Sequence, residues 1–214
     1  MKRFREPFNG FSHLAGASSA FLGGIPLLIM GWNGTARFIS ALIYIASLVS
    51  MFSASAAYHL ARLKPKGLEI LRKLDHSAIF LLIAGTYTPF CVNAFTGFWR
   101  WGLLSIVWGI ALVGILVKVI TVKAPRWLNV LLYVLMGWLS VLAARQMLQV
   151  LPAGSLVFLI AGGVIYTLGG IVYATKIFNF SPGKFGFHEV WHLFVIAGAL
   201  AHFISIVILY RVAG

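Results

Sequence analysis

Five consecutive residues, His188-Glu189-Val190-Trp191-His192, carry the sharpest chemical pattern in the sequence. Residues four apart on an α-helix share a face and lie about 6 Å apart along its axis, so both imidazoles can bind one ion. Ser55 and His59 repeat that spacing, and Asp75 stands next to His76 at the head of another apolar run. Three imidazoles, His59, His188 and His192, that leave a position free for water describe a catalytic zinc site better than a closed structural one. Charged groups inside a membrane cost about 2.5–3.5 kcal/mol each on insertion scales and therefore mark function by default.

Each of these residues also has a plainer reading. A single histidine in an apolar run is more often packed or interfacial than a ligand, and only a pair at i, i+4 joined by a third at the same depth favours metal. Asp75 suits the first turn of a helix and could act as its cap. The Ser55 hydroxyl could return to the backbone of the preceding turn. The pentad also fits His-Glu-x-x-His, the zinc-protease pattern in which the glutamate is the general base, with His59 available as third ligand.

The elements that must position these groups follow from composition. Of 214 residues, 61% are hydrophobic and 10% charged, less than half the charged share of ordinary soluble domains. Seven stretches free of Asp, Glu, Lys and Arg are long enough, or nearly so, to cross a bilayer as helices. They run over about 11–30, 38–60, 76–94, 101–117, 127–144, 154–175 and 190–210. Breakers separate them: Trp32-Asn33-Gly34, Lys64-Pro65-Lys66-Gly67, Thr96-Gly97, Lys123-Ala124-Pro125, Pro152 and Ser181-Pro182-Gly183. Trp32, Trp99, Trp101 and Trp127 fall near the ends, as interfacial anchors do. No alternating segments of the kind a membrane β-barrel needs are present. The expected fold is therefore all-α, one seven-transmembrane helix bundle over residues 1–214.

Charge sets the orientation. Thirteen of the 17 Lys and Arg fall at the N-terminus and in connections 2–3, 4–5 and 6–7, against Arg37, Arg100, Arg145 and Arg211 on the other side. The positive-inside rule places the N-terminus in the cytoplasm and the C-terminus outside. The net charge of +13, which in a soluble protein points to nucleic acid, here sets topology and meets anionic lipid head groups, with no nucleic-acid partner expected. All four acidic residues, Glu6, Glu69, Asp75 and Glu189, then lie toward the cytoplasm, together with every histidine except His202.

The basic start at Met1-Lys2-Arg3 is not followed by small residues at the end of the first apolar run, so that span is expected to be retained. The single Cys91 excludes an intrachain disulfide. Leu68–Leu74 suits either a short interfacial helix with Leu68 and Leu71 facing lipid or an ordered basic loop. Glycine pairs at 162/163 and 169/170 permit close helix contact, within a subunit or between two.

Several motifs occur in order along the chain: Glu6-x-x-Asn9-x-x-x-His13, Ser55-x-x-x-His59, Leu74-Asp75-His76-Ser77 with Gly85-Thr86-Tyr87-Thr88-Pro89, and Pro182-Gly183-Lys184-Phe185 with His188-x-x-x-His192 and Ala201-His202-Phe203. In these the chain resembles a bacterial member of the haemolysin III family, within the progestin and adipoQ receptor group, and more distantly is similar to alkaline ceramidases. The resemblance implies seven helices with a cytoplasmic N-terminus. It implies zinc on His59, His188 and His192, with Asp75 near the metal-bound water and Ser55 beside it. It also implies that position 189 is not restricted to glutamate, which weakens the protease reading. Glu6, Asn9 and His13 share one face of the first span and could support the metal ligands or form a polar seam between helices.

The expected activity is zinc-assisted hydrolysis of a lipid amide in the cell inner (plasma) membrane, with membrane lipids as partners. Asp75 would move the proton and Ser55 would orient the water or the oxyanion. A non-enzymatic membrane regulator with structural zinc is the main rival. A lytic pore former ranks last, because the sequence has no amphipathic strands and too few polar residues to line a channel.

Overall fold

The computed structural model describes residues 4–181 and 185–212; Lys2 and Arg3, counted among the cytoplasmic charges, and Pro182, Gly183 and Lys184 of the last connection lie outside the described residues. Its elements are helices, apart from one isolated bridge between Ser181 and Phe185: α1 Pro7–Gly31, α2 Thr35–Leu60, α3 Pro65–Asn93, α4 Gly97–Ile120, α5 Arg126–Trp138, a 3₁₀ turn Leu139–Ala143, α6 Ala144–Val150, α7 Ala153–Thr175 and α8 Phe187–Val212. Local chemistry marks the ends. Pro65 opens α3 at a position where its missing N–H costs nothing. At the start of α8 the Gly186 N–H donates to Glu189 Oε2 at 2.9 Å, the reciprocal half of a capping box.

Among the described residues six helical rods are long and apolar enough to cross a membrane, counting Arg126–Val150 as one. Their outward surfaces carry exposed Ile29, Leu112, Leu142, Leu148 and Val157, whereas Asn9, Ser47, Ser155 and Ser205 are buried. Continuous apolar exteriors of this kind are stable in lipid and not in water. The chain is a multi-pass membrane protein. In α3 the apolar content is lower, because its first part carries Lys66, Glu69, Arg72, Lys73 and Asp75; its Ser77, Thr86 and Thr88 are buried.

The rods pack mainly on their sequence neighbours, α1 on α2, α2 on α3, α3 on α4 and α7 on α8. The ring closes through α1 against α8 and α5 against α7, with α3 also reaching α5 and α8. Small residues set the closest approaches. A side chain at Gly85 of α3 would run into Ser47 of α2, and one at Gly162 of α7 would run into the His202 ring of α8. Gly169 and Gly170 likewise face Phe194 and Val130, so the glycine pairs serve contacts inside this chain.

Three expectations need correction. Asp75 is not a helix cap, because α3 starts ten residues earlier at Pro65. Leu68–Leu74 is helical but continuous with α3, and it exposes Ile70 and Leu74 rather than Leu68 and Leu71. The fifth rod is broken at Leu139–Ala143 instead of running through as one helix. Backbone groups freed by a break must find partners inside a membrane, and Tyr87 of α3 supplies them. Its hydroxyl accepts the Ser140 N–H at 2.7 Å and lies 2.7 Å from the Gly137 carbonyl, to which it donates.

Candidate metal centre

One end of the bundle gathers the end of α2, the charged first part of α3 and the starts of α1 and α8. His59 lies on the last turn of α2 and is almost wholly buried. His188 and His192 lie one turn apart at the start of α8, the second of them buried. One ring nitrogen from each of these three lies within 4.8 Å of the others. The His59 ring is 5.1 Å from His188 and 4.7 Å from His192, centroid to centroid. Zinc–nitrogen bonds of about 2.0–2.1 Å in a tetrahedron put ligand atoms about 3.4 Å apart, so small side-chain rotations separate this grouping from that geometry.

The donor set suits zinc in its chemistry as well as its spacing. His59 Nδ1 donates to Glu6 Oε2 at 2.5 Å, which leaves Nε2 free as a ligand. That hydrogen bond, aided by the charge of Arg5 and opposed by burial, holds the Glu6 carboxyl well below the usual carboxylate range, so it is ionised at physiological pH. His192 Nδ1 is buried and makes no hydrogen bond of normal geometry, although the Asn9 backbone acts on it. The His13 ring lies against His192 at 3.9 Å, both its nitrogens buried without partners. Asn9 Nδ2 donates to Glu189 Oε1 at 3.1 Å. The Glu6–Asn9–His13 face of α1 therefore packs on the histidine cluster rather than forming a seam elsewhere.

Asp75 and Ser55 line the same cavity as the three histidines. The Asp75 carboxyl feels both the His59 ring and the Ser55 hydroxyl. The cavity has a volume of about 610 Å³ and a mainly apolar lining, within the range of small-molecule sites. It extends from the histidines along α5, the 3₁₀ turn and α7 to Met147 and Leu156. His202, the deepest histidine, lines it too, with its Nε2 3.1 Å from the Leu159 carbonyl. Glu189 does not line it: both carboxylate oxygens are taken by Asn9 and the Gly186 cap. The protease reading thus loses its general base.

Sequence reasoning passed over four residues around the site. Tyr173 of α7 sits edge-on to His188 at 5.4 Å and lines the cavity; as one tyrosine in an apolar run it gave no signal. Lys118, at the end of α4, is buried and donates to Asn129 Oδ1 of α5. Arg72 and Arg126 line the cavity, where the sequence marked them only as topology charges.

A family profile described as "Haemolysin-III related" matches residues 1–203. The chain belongs to the haemolysin III-related family. It is 34% identical to Hemolysin-3 of Bacillus cereus over 203 residues, 94% of this chain and 90% of that protein. It is equally identical to the Hemolysin-3 homolog of Bacillus subtilis (strain 168), covering 94% and 92%. An adiponectin receptor protein of Drosophila melanogaster is 30% identical over 164 residues, 67% of this chain and 36% of that one. The family expectation drawn from the motifs is therefore met over nearly the whole length.

Proposed function

We propose that the chain is a seven-span zinc protein of the bacterial inner membrane that hydrolyses an amide bond in a membrane lipid. The carrying observation is the grouping of His59, His188 and His192 beside Asp75 and Ser55 in an apolar cavity. Zinc held by those imidazoles would polarise a carbonyl and activate water. Asp75 would accept the water's proton and return it to the leaving amine. The Ser55 hydroxyl would donate a hydrogen bond to the developing oxyanion. Glu6 fixes His59 through Nδ1, and the apolar walls hold the acyl chain and exclude bulk water.

The orientation in this reading puts the metal centre at the cytoplasmic ends of the helices. The charge asymmetry supports it, as does the meeting of the starts of α1 and α8 with the end of α2 in one cluster. The seventh span is α3, whose length of 29 residues is ample for a crossing even though its apolar content is lower.

A second reading, a non-enzymatic membrane regulator with structural zinc, draws on the name of the adiponectin receptor relative. It also draws on His13, whose unpartnered nitrogens lie against His192. Metal analysis tests the site first: the purified protein should carry about one zinc, and His188→Ala and His192→Ala should lose it. Lipid profiling of cells carrying Asp75→Ala then tests the chemistry. An accumulating amide lipid is expected. Unchanged lipids with a lost cellular phenotype would transfer the assignment to the regulator.

A further inference from the structure

We propose that the mouth of the cavity is an anion subsite, in which Arg72 and Arg126 clasp the phosphate headgroup of an amphiphile whose acyl chain fills the interior. The inference rests on the lipid reading above and specifies its substrate class. Arg72 projects from α3 one turn before Asp75, and Arg126 is the first residue of α5. Both line the cavity that holds His59 and His188.

Neither arginine has a carboxylate partner among the described residues, where the ion pairs are Arg5–Glu6, His59–Glu6 and Lys73–Glu69. The Arg126 guanidinium instead lies over the rings of Phe187 and Tyr173, 5.4 and 5.8 Å from their centroids. Those contacts hold it beside the cavity rather than free in the head-group layer. It acts electrostatically on His188, and both arginines act on Tyr173. A second recess shares Arg72 and Tyr58 with the cavity and adds the cations Arg5 and Lys123 beside one carboxylate, Glu69. Arg72 also acts electrostatically on buried Lys118.

Like charges converging at one opening repel, and an anion placed between them relieves that cost. Guanidinium forks match phosphate oxygens in bidentate geometry. A headgroup anchored there keeps its charge hydrated at the rim, while the linking carbonyl lies within and the acyl chain runs on beneath. Topology alone requires positive charge on this side of the membrane, but not two guanidiniums on the wall of the cavity. Lys66, on the same side, does not line it.

The test is equilibrium binding to the full chain in uncharged detergent, with three probes: a lysophosphatidic acid, the monoacylglycerol of the same chain length, and inorganic phosphate. The lysophosphatidic acid should bind at least about tenfold more tightly than the monoacylglycerol, the scale of one charge-assisted hydrogen bond. Arg72→Gln and Arg126→Gln should each lose about tenfold for the lysophosphatidic acid alone. Retained monoacylglycerol binding shows that these variants are folded, and Lys66→Gln should match wild type. Equal binding of the two lipids, or an equal loss in Lys66→Gln, overturns the subsite. Inorganic phosphate binding as tightly as the lysophosphatidic acid overturns the lipid headgroup in favour of a free anion. Repeating the series in Asp75→Asn protein keeps the outcome separate from hydrolysis, since binding is read whether or not the lipid turns over.

Discussion

Glu6 sits at the foot of α1 and yet bears directly on His59, 53 residues away. A carboxylate that accepts the outer N–H of a ligating imidazole fixes its tautomer and raises its basicity, and losing such a partner typically costs 10–100-fold in metal affinity. Glu6→Gln should therefore weaken zinc binding by about that factor, measured by competition with a chelator, while the helical content is unchanged. The hydrogen bond from His59 is the largest influence on the Glu6 carboxyl, so the two residues act as a unit. Asp75 and Ser55 line the cavity and in the proposed mechanism act on water and carbonyl rather than on the metal, so loss of either should spare metal content.

At the scale of elements, the break in the fifth rod shapes the cavity. Gly137, Trp138, Ser140 and Val141 around the break line its wall. Tyr87 holds the break by pairing the freed groups of Gly137 and Ser140. Tyr87→Phe removes that hydroxyl and strands a buried donor and acceptor, at a cost of about 1–2 kcal/mol. Thermal unfolding in detergent should show the loss, without any change in zinc content. Nothing in the sequence announces this break, since no proline or glycine pair marks 139–143. The freed groups are paired by a residue 53 positions earlier in the chain.

At the scale of the whole molecule, the charge asymmetry makes a testable statement about how the bundle sits. If the orientation proposed above holds, an N-terminal fluorescent protein should fluoresce and a C-terminal alkaline phosphatase should be active. The reversed pattern would place the metal centre outside the cell and remove the cytoplasmic reading of the site. The packing makes a single unit of the rods, because α8 carries two of the three histidines and touches both α1 and α3. Disturbing the contact of α1 with α8 should therefore reach the metal centre. Metal content and thermal stability should fall together in a variant such as Asn9→Leu, which removes the hydrogen bond to Glu189 and places a larger side chain at a buried site.

The membrane-spanning character, the helical class and the family were legible in the sequence, because lipid enforces a length and polarity on every span and the motifs keep their order along the chain. The i, i+4 pair His188/His192 was legible for the same local reason, the pitch of the helix. The placement of His59 against that pair was an expectation from its depth and from the family motifs, and it needed the approach of α2 to α8 to become a distance. Tertiary structure alone decided the roles of the remaining polar groups. It turned Glu6 onto His59, tied Glu189 to Asn9 and the α8 cap, and put Arg72 and Arg126 in the lining of one cavity. Those pairings join residues 50 to 180 positions apart in most cases, and no local periodicity carries information over such a span. Sequence thus determined which residues lie at one end of the bundle, and packing determined which of them face one another.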